Sequence, residues 1–574
     1  MKRVLMILGA LLVVVPELLA AGPARRTDPS QRARLQLEHL HGLQRAHELS
    51  SRREARLARQ RGREIVKAVV YFDAQPRGLD DRRLNNMRAH RFRNFRQLPV
   101  RAIEVPRRRL EQIRNMPGVR MVIEDKPIEL MSLSSREAAR IPSGSTFNST
   151  LTGAGVTVAV IDSGVDVHQD MPSFKQYSFL DGNYPTLEIV GGEVAPWDDS
   201  HETPVDTWGH GTHVAGIIVG AGDGSNGDAR GVAPDAEIIS LRVLNEHGQG
   251  NASDLVAALD WVLEYKDVLG IDVVNMSLGM AVLQPAELDP LVQAAEAAWD
   301  AGIVVLSAAG NLGWSGNFTI HSPGNSRKLI TVGSLTDSGT GIDHTDDYVS
   351  TFSSRGPTGF DLHVKPDFVA PGNKVVAAIP NSAGLRTLLN GRVKQCTPPP
   401  LCTGVADYLE MSGTSMATPM AAGAVALMLE KDPTLTPDTI KARLMLSAQK
   451  LSGDAVAAGA GLLDIDAALE ATGTVTSALS PQFVANEDGS IQIEDTANMW
   501  GNTAFATDVV YPAGAFGIET DDGYVASDGF IWSDGFIWSD GFIWSDGFIW
   551  SDERMQAASF LQENKDGSVS LLDD

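Results

Sequence analysis

Three short stretches carry the residue types that can make and break an acyl bond. Ser415 lies in Gly413-Thr414-Ser415-Met416-Ala417-Thr418-Pro419, a glycine-led turn that opens an apolar helix over Met420 to Leu429. The start of a helix leaves N–H groups unpaired, and these favour developing negative charge. A serine hydroxyl alone is a poor nucleophile and needs a base, itself held by a third group. His210 offers the base, at a second glycine-flanked helix start, Gly209-His210-Gly211-Thr212-His213-Val214-Ala215-Gly216. Imidazole titrates near neutral pH, so it can take a proton and later give it to a leaving amine. Asp162, in Val160-Ile161-Asp162-Ser163-Gly164, ends a β-branched run and can fix the imidazole tautomer. Taken singly, each has an ordinary reading as a cap serine, a core histidine or a strand-end aspartate.

The elements around these residues must bring them together. Val156 to Ile161, Glu237 to Val243, Ile271 to Met276, Ile303 to Ala308 and Leu329 to Val332 are near-continuous aliphatic runs, the pattern of a buried parallel sheet. Helical patterns lie between them, at Gly211 to Gly220, Ala252 to Tyr265 and Ala286 to Ala301. The fold class is α/β, a doubly wound, mostly parallel sheet with active groups at strand ends and helix starts. Pro437 to Leu446 adds a helix capped by Thr436, and the domain closes near residue 471. Before it, Glu64 to Phe72, Leu98 to Val105 and Val119 to Ile123 read as strands, with helices over Leu79 to His90 and Arg107 to Asn115.

The three motifs, in the order Asp, His, Ser, resemble the subtilisin-like serine proteases, the subtilase family. The resemblance covers residues 145–471 as the catalytic domain, and it implies a secreted serine endopeptidase working through an acyl-enzyme. It implies catalytic roles for Asp162, His210 and Ser415, and a structural one for His213. Asn311, in Ser307-Ala308-Ala309-Gly310-Asn311, matches the asparagine that steadies the oxyanion beside the backbone N–H of Ser415. Gly248-Gln249-Gly250 and Ser277-Leu278-Gly279 match the two edges that take an extended substrate strand. Ala308, Ala309 and Gly310 match one wall of the main specificity pocket, with His321 near its base. The small wall implies bulky apolar residues before the scissile bond.

Residues 63–131 resemble the family's inhibitory propeptide, a small α+β ferredoxin-like domain. That implies a self-processed zymogen, cut near Met131-Ser132, with Ile128 and Met131 in apolar subsites and the propeptide as a partner. Calcium is common in the family, though the chemistry requires no cofactor. Asp170 matches a ligand position. Asp223, Asn226 and Asp228 make the 222–228 loop rich in oxygen donors. A solvated loop is the other reading. A catalytically silent surface binder is the rival to the enzyme.

Residues 1–21, with Lys2, Arg3, an apolar run to Val15 and small residues at 20–22, read as a secretory signal peptide. No other segment has the apolar length of a membrane span, and nucleic acid is not an expected partner. Residues 22–62 form a basic arm. Between residues 22 and 127 stand 26 Lys and Arg against 12 Asp and Glu, a balance of +14, while the whole chain carries −24. A basic leader thus precedes a strongly acidic body, which would speed their docking; a solvated acidic surface of a secreted or salt-exposed protein is the other reading. Cys396 and Cys402 bracket Thr-Pro-Pro-Pro-Leu. A disulfide is the first reading in an exported chain and two free thiols the second. Residues 472–574 form a C-terminal extension, with the hexapeptide Asp-Gly-Phe-Ile-Trp-Ser repeated four times over 528–551. Asp-Gly favours a two-residue turn and Phe-Ile-Trp-Ser a strand. Such strands are apolar on both faces and should pack on the enzyme, another copy or an external surface; a tolerated tail left by repeat slippage is the other reading.

Overall fold

The computed structural model describes residues 64–125, 127–130, 151–171, 174–187, 189–190, 193–194, 205–225, 227–337, 344–395, 407–451, 455–485 and 491–494, with short strands between 510 and 571. The signal peptide, the basic arm, Met131, Asn226, both cysteines and most of the repeats lie outside the described residues. The chain forms two compact units. The smaller comprises residues 1–66 and 105–112; within it the Arg107 N–H donates to the Glu64 carbonyl at 2.9 Å. The larger comprises 67–104 and 113–574 and holds everything described below about the site.

The leader runs β1 (Ile65–Phe72), α1 (Gly78–Asn86), β2 (His90–Asn94), β3 (Val100–Pro106), α2 (Leu110–Arg114), β4 (Val119–Glu124) and β5 (Pro127–Leu130). The first four strands order as β2-β3-β1-β4. The helix read to His90 ends four residues earlier. Arg88 is left-handed, with φ 61°, and the chain leaves the turn as β2, an element the sequence pattern did not reveal.

The body begins with β6 (Thr157–Asp162) and β7 (Lys175–Ser178), then α3 (His210–Val219), β8 (Glu237–Arg242), β9 (Gln249–Asn251) and α4 (Ala252–Leu269). It continues with β10 (Ile271–Met276), β11 (Leu278–Ala281), α5 (Pro290–Asp300), β12 (Val304–Ala308), β13 (His321–Ser322), β14 (Ile330–Thr336), β15 (Tyr348–Val349), β16 (Phe368–Pro371), β17 (Val375–Ala378), β18 (Asp407–Met411), α6 (Thr414–Lys431) and α7 (Pro437–Ser447). The main sheet has the order β15-β14-β12-β10-β6-β8-β7, with β16 beside β14. The pairs β8/β6, β8/β7, β10/β6, β10/β12, β12/β14 and β14/β16 are parallel, and β15 is antiparallel. Strands β6, β12 and β14 are buried along their length, as parallel strands covered on both faces must be. The sheet grows to both sides of β6, so the carboxyl ends of β6, β10 and β12 open on one crevice where the strand order reverses.

Two helices begin elsewhere than the sequence pattern implies. The pattern starting at Ala286 is a 3-10 turn at Ala286–Leu288 followed by α5, because Asp289 caps the helix, accepting the Leu291 N–H at 2.9 Å ahead of Pro290. The helix read from Met420 begins at Thr414 and continues through Pro419. A proline there removes one helical bond, the one its N–H would give the Ser415 carbonyl four residues back. The Ser277 hydroxyl takes that place, at 2.9 Å, so helix and nucleophile turn are one element.

The core also continues past residue 471. Ala478, Ser480, Phe483 and Ile493 are buried. Ser480 Oγ donates to Asp367 Oδ1 at 2.5 Å and accepts from Lys441 Nζ at 2.8 Å. Further on, strands Tyr524–Ser527 and Phe530–Ser533 pair antiparallel, with Ser527 opposite Phe530, so Asp528 and Gly529 alone separate them.

Candidate active site

Asp162 is the last residue of β6, and the site grows from that strand end. Its Oδ1 lies 2.8 Å from His210 Nδ1, and both side chains are fully buried. The Ser163 N–H donates to the same oxygen at 2.7 Å. His210 is the first residue of α3, and Gly209 before it has φ 100°. Gly211 makes the approach of helix to strand possible: a Cβ there would stand 2.0 Å from the Gly164 carbonyl and 3.1 Å from Asp162 Cβ. His210 Nε2 and Asp162 Oδ2 are buried without a hydrogen-bond partner among the described residues. His213, one turn on, bonds the Leu409 carbonyl through Nε2 at 2.8 Å, and burial pushes its imidazole down to about 3. It is a neutral core histidine.

Ser415 is buried in the first turn of α6, and α6 packs on α3. Its Oγ donates to the Ser277 carbonyl at 2.9 Å; the hydroxyl is parked there and not on His210. Asn311 Oδ1 accepts both the Thr414 N–H, at 3.0 Å, and the Thr414 hydroxyl, at 3.1 Å. Gly310 N–H reaches that hydroxyl at 3.2 Å. The amide of Asn311 is thereby fixed, and its Nδ2 is a buried donor with no partner among the described residues. Gly310 has φ 113°, and a Cβ there would stand 2.1 Å from His321 Nδ1. His321 therefore packs directly on Gly310. Its main-chain N–H donates to the Ala309 carbonyl at 2.9 Å, and burial pushes its imidazole down to about 4.

The two edge stretches hold a strand, and it comes from the same chain. β5 lies between β9 and β11, antiparallel to both. Gln249 pairs with Glu129, Gly250 with Ile128 and Asn251 with Pro127. Leu278 pairs with Leu130 and Gly279 with Glu129. Each step from 127 to 130 therefore moves toward the Ser277 end of the slot. Ile128 is fully buried. Gly248 sits outside β9, with φ 70° in the turn before it.

Main-chain and side-chain groups of the leader before β5 bond to α4 and its neighbours. Asp260 accepts the successive N–H groups of Arg96, Gln97 and Leu98 at 2.8, 2.7 and 2.6 Å, and the Tyr184 hydroxyl at 2.8 Å. Buried Arg93 pairs with Asp254 at 2.8 Å and donates to the carbonyls of Ser253 and Phe179. Asp125 accepts the N–H and hydroxyl of Ser253.

The oxygen-rich loop behaves differently from these groups. Asp170 Oδ1 takes the Gly224 N–H at 2.9 Å and Oδ2 the Tyr408 hydroxyl at 2.8 Å. The carboxylate is thus engaged on both oxygens by protein donors. Asp223 and Gly224 lie in a 3-10 turn. Among the described residues no three His, Cys, Asp or Glu side chains group as a metal cage. Among them, too, no helix is long and apolar enough to cross a membrane.

The subtilase family description matches residues 153–462, which include Asp162, His210, Asn311 and Ser415. This chain belongs to the subtilase family, the subtilisin-like serine proteases. Over 330 residues it is 39% identical to serine protease AprX of Bacillus subtilis (strain 168), covering 56% of this chain and 68% of that one. It is 34% identical over 319 residues to subtilisin DY of Bacillus licheniformis, covering 55% and 92% respectively. Among solved structures, fervidolysin from Fervidobacterium pennivorans, a keratinolytic enzyme related to subtilisin, superimposes with a TM-score of 0.52 at 21% identity. That likeness covers 71% of this chain and 61% of fervidolysin, and concerns the subtilisin-like α/β fold.

Sequence reasoning passed over four polar residues that build this subtilase site: Ser163, Asp206, Ser277 as a hydroxyl, and Thr414. Two of them stand beside catalytic candidates. Asp206 had a signal of its own, a carboxylate three residues before a glycine-led helix start, where unpaired N–H groups need an acceptor.

Proposed function

We propose that this subtilase is a secreted serine endopeptidase whose leader, residues 63–131, is an inhibitory propeptide that the enzyme cuts near Met131. In the reaction, Ser415 Oγ leaves the Ser277 carbonyl and turns to His210 Nε2, which takes its proton as Oγ attacks the substrate carbonyl. Asp162 holds Nδ1 and stabilises the imidazolium that forms. Asn311 Nδ2 and the Ser415 N–H receive the oxyanion. The imidazolium then protonates the leaving amine, and water repeats the sequence on the acyl-enzyme. Cys396 and Cys402 would form a disulfide in the exported chain. Any calcium would be structural.

The observation that carries this reading is the coincidence of β5 with the slot between β9 and β11. Strand addition delivers a peptide to a protease by main-chain pairing, with alternate side chains in pockets. A chain segment lying there, running toward the Ser277 end, has the form of a bound product. Buried Ile128 and the small wall of Ala308, Ala309 and Gly310 favour apolar residues, with Leu, Met or Phe before the scissile bond.

Mass spectrometry of purified wild type and Ser415→Ala tests this. The wild type should yield a new N-terminus within a few residues of Ser132, and the variant should remain joined there. An identical cut in both proteins would contradict self-processing. A peptide library should return large apolar residues before the cut; a preference for charged residues would contradict the pocket reading.

A further inference from the structure

One buried carboxylate stands beside the acid–base pair without being part of it. Asp206 is fully buried, four residues ahead of His210. Its Oδ1 accepts the Ser163 hydroxyl and the Gly209 N–H, each at 2.8 Å. Its Oδ2 accepts the Thr212 N–H at 2.9 Å and the Thr212 hydroxyl at 2.7 Å. Two of these donors, Gly209 and Thr212, bracket His210 in the chain. The third, Ser163, follows Asp162, and its oxygen in turn receives the Gly211 N–H at 2.9 Å. A helix start leaves such N–H groups without helical partners. Here one side chain gathers them and joins them to the strand end.

Two N–H groups and two hydroxyls, one of each kind on either oxygen, supply four donors to an ionised carboxylate. The charge is held by these bonds although burial opposes it and raises the group above the usual carboxylate range. Ionisable groups on the elements packed against α3 are Asp162 on β6, Glu237 and Arg242 on β8, and Glu430 and Lys431 at the far end of α6; β17 has none. On α3 itself, His213 is neutral in the working range.

We propose that Asp206 is a positioning residue for the reaction: through Ser163 and the first turn of α3 it locks His210 onto Asp162, and its charge supports the imidazolium. The inference rests on the serine peptidase reading above. It assigns to Asp206 a second, indirect negative charge behind the imidazole. Removing that charge while keeping the side chain's size costs one acceptor oxygen and the field.

The test uses processed enzyme and a fluorophosphonate probe, with rates normalised to titrated active sites. Asp206→Asn should label Ser415 about 10- to 100-fold more slowly, the size of effect when a supporting hydrogen-bonded group around a reactive one is lost. The acid limb of its pH–rate profile should move down by about half a unit or more, since a nearby buried negative charge favours a protonated imidazole. KM for a peptide substrate should stay within about twofold, because no substrate contact changes. Ser163→Ala keeps the charge but cuts the link to β6; it should slow labelling and leave the acid limb in place. If Asp206→Asn has wild-type rate and acid limb per active site, the proposal fails, even where the variant melts early. If Asp206→Asn does not fold, an unchanged rate in Ser163→Ala overturns the positioning claim. Absence of labelling in the wild type would instead remove the peptidase reading itself, a distinct result.

Discussion

The two halves of the site are built in opposite ways. On the Asp162–His210 side the groups that hold the ring are paired: Asp162 Oδ1 has two partners, and Ser163, Asp206, Gly209, Gly211 and Thr212 form one closed network, while His210 Nε2 and Asp162 Oδ2 stay without a partner among the described residues. On the Ser415–Asn311 side, valences stay open. Asn311 is gripped only through Oδ1, leaving Nδ2 unpaired, and Ser415 Oγ rests on a backbone carbonyl it can leave. In the proposed reaction the base keeps one orientation through the whole cycle, whereas the nucleophile and oxyanion donors accept a substrate's atoms. Unpartnered buried polar atoms cost folding energy. Asn311 Nδ2 and, across the site, His210 Nε2 are such atoms, and in the proposed reaction they are where outside atoms belong.

Removing chemistry from either half should have the largest effect. Ser415→Ala and His210→Ala should each lower turnover of a small peptide by about five to six powers of ten, and combining them should add little. Additive losses would show that the halves do not act as one unit. A deletion treating both halves alike comes next. Ending the chain after residue 475 removes Ser480, Phe483 and Ile493 from the core and should lower the melting temperature by about 10 °C or more. The surviving titrated sites should turn over normally. Ending it after 495 should leave the melting temperature near that of the parent. Equal melting of the two truncations would contradict the packing described past residue 471.

Asn311→Ala probes the open half alone. It should reduce kcat by about two to three powers of ten with KM little changed. A pure KM effect would mean that Nδ2 binds substrate and not the oxyanion.

The smallest expected effect comes from acid. Burial depresses His213 to about 3 and His321 and His363 to about 4. Between those values and the ordinary histidine value near 6.5, the unfolded chain binds protons that the native state refuses, so stability is lost as pH falls below about 6.5. Burial raises Asp289 and Asp361 to about 6. These act oppositely, favouring the native state at low pH and losing that contribution as pH rises through 6. Burial raises Asp125, Asp166, Asp206, Asp260 and Asp272 as well, so the carboxylates oppose the imidazoles and a single imidazole is the cleaner probe. In the Ser415→Ala background, His363→Gln should therefore shift the melting temperature at pH 4.5, relative to that at pH 7, upward by about a few degrees. An unchanged pH difference in His363→Gln would contradict a buried neutral imidazole there.

Much of the frame is legible in the sequence. The aliphatic runs are long enough to be read as buried strands, and glycine-flanked Asp162, His210 and Ser415 stand at element ends where side chains can converge. What escapes is set by partners far away in the chain. Pro419 looks like a helix boundary until the Ser277 hydroxyl takes the Ser415 carbonyl from 138 residues away. Ser163 and Asp206 look like turn residues until they close on each other and on α3. The short strand His90–Asn94 has no apolar alternation to betray it. The domain end near 471 follows a fading helical pattern, yet Ser480 is held by a buried charge cluster of Lys365, Asp367 and Lys441 that no local periodicity encodes.

The central claim is that His210, oriented by Asp162, makes Ser415 a nucleophile. Fluorophosphonate labelling of the processed enzyme, followed by peptide mass mapping, tests it most directly. The account predicts one adduct per chain, on Ser415, and at least a thousandfold slower labelling in His210→Ala, about the scale of general-base activation. An adduct on another residue, or equal labelling with and without the imidazole, would contradict it.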